Sequence, residues 1–173
     1  MTFGNIKSER PDLRSLFGPL TSEENTLLLE RLIAVDVRLT QLAEHATRHV
    51  GVPYKPLGLG MVVRSDGSNA GIHGGPSGNA GDIWFDISPT WSPAKGTPDF
   101  SSWEVVSRIV VFCSDHPERR GDPNTHDLLR LDGVAKSPKG TLELLESHVS
   151  IIEQQLDQYP TEKFTSTPHA ELP

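Results

Sequence analysis

Hydrophobic residues recur in steps of four and three along two stretches of the chain, a spacing typical of amphipathic helices. The first stretch is preceded by Thr21 and Glu24, which are spaced as in a capping box. It is followed by Gly51, a residue type that commonly ends helices. We therefore predict a helix over about residues 22–50. Its apolar stripe consists of Leu28, Leu32, Val35, Leu39, Leu42, Ala46 and Val50.

The second stretch begins after Ser137, a favourable residue at a helix N-cap. Pro138 fits the first helical position, because its missing N–H has no partner to lose there. This pattern predicts a second helix over about residues 138–158. Its apolar positions are Leu142, Leu145, Val149, Ile152 and Leu156.

Between the two helices the pattern changes to one typical of strands. Residues 83–88 alternate between apolar and polar side chains, as in a half-buried strand. Residues 105–113 are almost continuously apolar, which indicates a central strand. Shorter apolar runs at 57–63 and 128–134 are further candidates. No helix-length pattern separates these segments, so we expect antiparallel pairing.

These elements predict an α+β fold in which the two amphipathic helices pack on a three- to four-stranded, mainly antiparallel sheet. At 173 residues, one domain is expected. Residues 21–159 would form it, with an N-terminal arm at 1–20 and an extended C-terminal tail at 160–173. The glycine-rich segment 71–81 is interpreted as a hairpin loop, because Gly, Pro and Asn favour turns. The alternative is a loop whose backbone N–H groups hold an anion.

Composition narrows the classes of partner. The chain carries 16 Lys and Arg against 23 Asp and Glu, a net charge of −7. Nucleic acids and anionic membranes bind basic surfaces, so this balance argues against both. The sequence has neither an apolar signal segment nor the ~20 apolar residues of a membrane span, and we expect a cytoplasmic protein. Its one cysteine, Cys113, excludes an internal disulfide and a multi-cysteine zinc site.

The acidic surplus grows toward the C-terminus, where residues 137–173 carry six acidic and two basic side chains. One interpretation is a solvated helix face that keeps the protein in solution. The other is an acidic surface that steers a basic partner. The sequence leaves both interpretations open.

The segment from residue 113 to residue 127 holds the candidate catalytic residues. His116 or His126 could act as a general base near neutral pH. Asp115 or Asp127 could orient the imidazole ring. Two His and two Asp are also acceptable ligands for a divalent metal, but their spacing matches no metal motif. We therefore assign no metal site, while the cofactor stays unknown and a single ion bound by this segment stays open. The alternative is a solvated polar loop in which these side chains stabilise turns.

Aromatic and histidine side chains supply the candidate binding residues. Because neighbouring strand residues point to opposite faces, Trp84 and Phe85 cannot lie in the same layer. One of the two is left for a second packing layer or for a binding surface. We expect a concave patch on that surface, formed by Trp84, Trp91, His73 and His126. The candidate ligand-binding residues are His73, Trp84, Trp91 and Asn124.

Charge, size and the lack of a catalytic motif favour a protein that acts by binding a protein partner or a small ligand. An inhibitor or immunity-type protein against a basic enzyme is one concrete form. The alternative is a small enzyme, either metal-independent or with a single metal, that uses the His and Asp residues of the 113–127 segment as a general base. Whether the chain is an enzyme stays open. An apolar face left over on the sheet would favour a homodimer.

Overall fold

In the computed structural model, which describes residues 2–63, 70–112 and 125–165, six strands pair in chain order. Every neighbouring pair is antiparallel, as the sequence predicted. The expected three to four strands were too few. The strands are β1 (Thr2–Asn5), β2 (Tyr54–Val63), β3 (Ala70–Gly78), β4 (Gly81–Ser92), β5 (Thr97–Phe112) and β6 (Thr125–Ala135).

In the sequence, one long helix precedes the consecutive strands β2 to β6 and a second long helix follows them. The helix α3 covers Ser22–Val50 and α4 covers Pro138–Gln155, and a 3₁₀ turn over Leu156–Gln158 completes the predicted second helix. The Thr21 and Glu24 capping box is present, and Gly51 ends α3 in the left-handed conformation at φ 82°. Both predicted helices are confirmed. The described residues also form three single-turn helices, α1 (Ile6–Glu9), α2 (Arg14–Phe17) and α5 (Glu162–Thr165).

Two strands, β1 and β3, were not predicted from the hydrophobic pattern, and there is a physical reason in each case. β1 is only four residues long, too short to show a period of two. β3 occupies the glycine-rich segment that we had interpreted as a hairpin loop. Glycine is depleted in strands, but here it permits close pairing. Gly75 adopts φ 144°, and a Cβ at this position would collide with the carbonyl oxygen of Ile83 in β4.

The first twenty residues belong to the same core as the rest of the described chain. Ile6, Leu13 and Leu16 are fully buried. The indole Nε1 of Trp103 in β5 donates a hydrogen bond to the carbonyl of Leu16 at 2.8 Å. At the other end of the described chain, α5 buries Phe164 in this core. Part of the predicted tail is therefore helical, and its remainder, residues 166–173, lies outside the described residues.

The described helices all pack on one side of the sheet, which we call the covered face. α3 and α4 are joined there by two bidentate ion pairs. The Arg31 guanidinium donates to Glu146 at 2.9 and 2.8 Å, and Arg38 donates to Glu153 at 3.1 and 2.6 Å. None of the described helices has the length and hydrophobicity that crossing a membrane requires.

The opposite side of the sheet, which we call the open face, carries no helix among the described residues. Its side chains are the alternate residues of the strands, and most of them are polar or charged. They include Lys55, Leu57, Val62, His73, Ser77, Asp82, Trp84, Asp86, Ser88, Glu104, Val106, Arg108, Val110, Phe112, Asp127, Arg130, Asp132 and Val134. Two of these, Val110 and Phe112, are buried, with 7% and 8% exposure, and they lie outside the core beneath the helices.

Candidate functional site

Strand β4 divides its side chains between the two faces of the sheet. Burial alternates at every position from Gly81 to Thr90. Phe85 is fully buried beneath the helices, whereas Trp84 is half-buried on the open face. The expectation that these two residues face opposite layers is confirmed, and it leaves the tryptophan for the open face.

Three side chains of β3 and β4 form a cluster around this tryptophan, which we call the His73 cluster. The strand register places His73 directly opposite Asp86. The Nδ1 atom of His73 lies 2.8 Å from Oδ2 of Asp86, and the two side chains are 30% and 31% exposed. The imidazole stacks on the Trp84 indole, with ring centroids 6.4 Å apart and an interplanar angle of 14°.

Glycine beneath the cluster makes room for the imidazole. A Cβ at Gly71 would lie 2.9 Å from Nε2 of His73. The ring thus lies over Gly71, with one nitrogen bonded to a carboxylate and the other above bare backbone. This arrangement fixes the orientation of the ring and leaves the cluster accessible from solvent.

A row of charged residues on β5 and β6 borders the cluster. Arg108 is paired in register with Trp84 on one side and with Arg130 on the other. The Arg108 guanidinium lies 3.9 Å from Asp127, and its buried Nε has no acceptor among the described residues. Asp132 accepts from Arg130 at 2.9 Å, and this hydrogen bond lowers the pKa of the Asp132 carboxyl.

The structure brings together only part of the predicted binding patch. His73 and Trp84 are in contact. Trp91 lies in the β4–β5 hairpin, where it pairs with Pro98 and is 62% exposed. The alternation of side chains along β4 directs it to the same side of the strand as the covered face. His126 is paired with Val111, whose side chain is buried on the covered face. Neither residue joins the His73 cluster.

The predicted catalytic residues are separated or lie outside the described chain. His126 and Asp127 are consecutive in β6 and are both paired in register with β5, so their side chains point to opposite faces. Asp127 is thus not placed to orient the His126 ring. Asp115, His116 and Asn124, together with Cys113, lie outside the described residues. Within the described ranges, no three His, Cys, Asp or Glu side chains are grouped as a metal site.

Sequence reasoning missed Asp86 and Arg108. The alternating pattern of residues 83–88 identified Asp86 as a polar strand position. Its contact with His73, however, depends on the β3–β4 register. That register could not be derived while residues 71–81 were interpreted as a loop. Arg108 interrupts an apolar run, and an isolated charge in a predicted central strand was the signal for a functional position.

Two buried polar contacts lie on the covered face. The Asp36 carboxylate, in a residue that is 7% exposed, accepts a hydrogen bond from the Leu59 backbone N–H at 2.7 Å. This amide lies at the irregularity in the pairing of β2 with β3. His148 of α4 and Ser107 of β5 bond through Nδ1 and Oγ at 3.0 Å. Burial lowers the pKa of His148, which outweighs the opposing influence of Asp132.

An apolar groove of about 740 Å³ lies between the N-terminal parts of α3 and α4. Leu27, which is 59% exposed, contributes to its wall. Its charged lining residues are two acidic and two basic side chains, so its charge indicates no particular ligand. The lining comprises Leu20, Glu24, Leu27, Leu28, Glu30, Arg31, Ala34, Ser137, Pro138 and Lys139.

Comparisons of this chain with protein-family models, with curated proteins and with solved structures give no match.

Proposed function

We propose that this protein acts by binding a basic protein through the open face of its sheet. The observation that carries the proposal is the His73 cluster. It places a half-buried tryptophan, a histidine and a carboxylate on an interior strand pair of a sheet face that no described helix covers. A central aromatic residue surrounded by charged groups is the usual arrangement of a protein-binding surface.

Trp84 supplies the contact area that such an interface needs. Tryptophan is enriched among the few residues that contribute most of the binding free energy, because it offers a large and rigid apolar surface. Stacking on His73 fixes the indole before a partner arrives, so less side-chain entropy is lost on binding.

The charges of the open face favour a basic partner. Among the described residues, five carboxylates and three cationic side chains lie on this face, and the whole chain has a net charge of −7. Opposite charges accelerate association and select against acidic partners. The acidic residues are Asp82, Asp86, Glu104, Asp127 and Asp132, and the basic ones are Lys55, Arg108 and Arg130.

The acidic surface of α4 is a weaker candidate for this role. Glu146 and Glu153 are bonded to Arg31 and Arg38 of α3, just as two open-face carboxylates are paired with arginines, so pairing does not separate the two surfaces. However, α4 contains no Trp, Tyr or Phe side chain that could form the centre of an interface. We therefore locate the interface on the open face. An inhibitor or immunity-type protein that blocks a basic enzyme is the concrete form of this proposal.

The test compares two tryptophans. A protein recovered on the immobilised chain is identified and purified, and its affinity is measured for each variant. Trp84→Ala should raise Kd by about 30-fold or more, as expected for a central interface residue. Trp91→Ala removes the same side chain from the exposed hairpin and should leave Kd within about threefold of wild type. Equal affinities of wild type and Trp84→Ala would refute the proposal.

A matched pair of charge reversals tests the electrostatic part. Glu104→Arg on the open face should slow association and weaken its dependence on salt, because it removes an attraction to the basic partner. Glu143→Arg on the exposed side of α4 makes the same change in net charge and should have little effect. A larger effect at Glu143 would move the interface to α4.

A second candidate is general-base catalysis at His73, which the 2.8 Å contact with Asp86 favours over the residues that the sequence indicated. Panels of simple ester and phosphoester substrates provide the assay. Turnover should disappear in His73→Ala, and Asp86→Asn should lower kcat by about 10²-fold or more, while both variants keep the wild-type melting temperature. Turnover that survives in His73→Ala would eliminate this candidate.

A further inference from the structure

The two edges of the sheet differ in what they expose. β1 is four residues long, whereas β6 at the other edge is eleven residues long. Within the described ranges, β6 pairs with β5 on one side and with no strand on the other. None of its eleven residues is buried. Such an edge presents a row of backbone N–H and C=O groups that can pair with another strand.

We propose that β6 pairs antiparallel with β6 of a second copy of this chain, with the two-fold axis passing through Leu131. The two sheets would then continue into one another. This inference concerns the edge of the sheet and does not rest on the binding function proposed for its open face.

In this register, oppositely charged residues of the two β6 strands face each other. Antiparallel pairing centred on Leu131 places Arg130 opposite Asp132 of the second copy, and the reverse pair forms by symmetry. Opposite charges directly across two strands stabilise pairing, and like charges oppose it. Both side chains are about half exposed on the open face, and within one chain they are bonded to each other at 2.9 Å. The dimer would therefore bring two such pairs together as a cluster of four alternating charges.

Apolar residues agree with the same register. Val134 is 59% exposed, and it would lie opposite Leu128 of the second copy, the residue at which β6 shifts register against β5. Leu129 would face Gly133, where Leu144 of α4 occupies the place of a side chain, 2.6 Å from a Cβ at this position.

Neighbouring registers lose these contacts. An axis through Arg130 places the arginine opposite its own copy, and an axis through Asp132 does the same for the aspartate. An axis through Leu129 places Arg130 opposite Leu128. Edge strands of monomers commonly carry charges that repel a second copy, but the alternation of Arg130 and Asp132 attracts one. The observations therefore favour a second copy over an unrelated strand.

The first experiment measures the mass of the full chain by light scattering over a concentration series. Wild type should reach about 38 kDa, twice the 19.0 kDa of one chain. Arg130→Asp and Asp132→Arg should each weaken dimerisation about tenfold or more, because each places like charges opposite one another twice. The double variant R130D/D132R restores opposite charges and should recover the dimer. A wild-type chain that stays at 19.0 kDa throughout overturns the proposal.

The second experiment tests the register by disulfide formation in a Cys113→Ser background. Only residue 131 meets its own copy on the axis, with Cα atoms about 4.5–5.5 Å apart, which suits a disulfide. Leu131→Cys should form a covalent dimer on oxidation. Leu129→Cys should not, because its two copies would lie about 13 Å apart along the strands. Cross-linking at 129 in preference to 131 would overturn the proposed register, and circular dichroism verifies that both variants are folded.

Discussion

The two faces of the sheet use neighbouring residues of one strand for different purposes. Phe85 is fully buried against the helices, and Trp84, the residue before it, stacks on His73 on the open face. The covered face consists mainly of apolar side chains and includes two buried polar groups that are hydrogen-bonded, Asp36 to Leu59 and His148 to Ser107. The open face carries many partly exposed charged side chains. Burial thus distinguishes a residue that maintains the fold from one that is available to a partner.

Truncating the two aromatic neighbours in turn tests this contrast and should give the largest effect. Phe85→Ala should lower the free energy of unfolding by about 3–5 kcal/mol, because it leaves a cavity in a packed core. Trp84→Ala should cost about 1 kcal/mol, since the indole is only half-buried and stacks on the His73 ring. Urea denaturation measures both values. Equal losses would mean that the open face is packed as tightly as the covered one.

The buried Asp36 on the covered face should show a smaller effect. Asp36→Ala leaves the Leu59 amide without an acceptor inside the protein, and we expect a loss of about 1–3 kcal/mol in the free energy of unfolding. Asp36→Asn retains a carbonyl oxygen at the same place and should recover most of this loss. If the alanine variant is as stable as wild type, the amide has found another acceptor, which hydrogen exchange at Leu59 would reveal.

A pH titration of stability should give the smallest effect. Burial lowers the pKa of His148 below its ordinary value of 6.5, so the unfolded chain takes up this proton first as the pH falls. The contribution of His148 is therefore present above pH 6.5 and is lost as the pH falls through the folded-state pKa. We expect the free energy of unfolding to fall between about pH 7 and pH 5, because the unfolded chain binds more protons than the folded chain over this range.

The control for this titration replaces both members of the buried pair. The double variant Ser107→Ala/His148→Leu removes the titrating ring and also the hydroxyl that would otherwise lose its partner. Its free energy of unfolding should fall less steeply over the same pH range. Parallel curves for the variant and wild type would assign the pH dependence to other groups.

The helices and the central strands could be predicted because their patterns are long and locally encoded. α3 and α4 carry an uninterrupted apolar stripe together with recognisable caps. β4 shows its period of two over many residues. β3 lacked such a pattern, because its glycines have no side chains that could alternate between an apolar and a polar face. Instead they permit the close approach of the neighbouring strands. Local sequence does not encode that contact.

The candidate site was predictable as a set of residues but not as an arrangement. His73 and Trp84 were named from the sequence, and they are in contact. Their pairing with Asp86 is set by the β3–β4 register, which joins residues thirteen positions apart. The proposed partnership of His126 with Asp127 overlooked that consecutive residues of a strand diverge. Adjacency in sequence is thus a poor guide to contact within a sheet.

The order of the elements along the chain has a consequence for synthesis on the ribosome. Strands β2 to β6 pair in the order in which they emerge, so the sheet can grow by closing one hairpin after another at low cost in loop entropy. α4 follows all of them, and it covers β5 and β6. The growing chain therefore presents an apolar half-sheet to solvent or to chaperones until this last long helix has emerged.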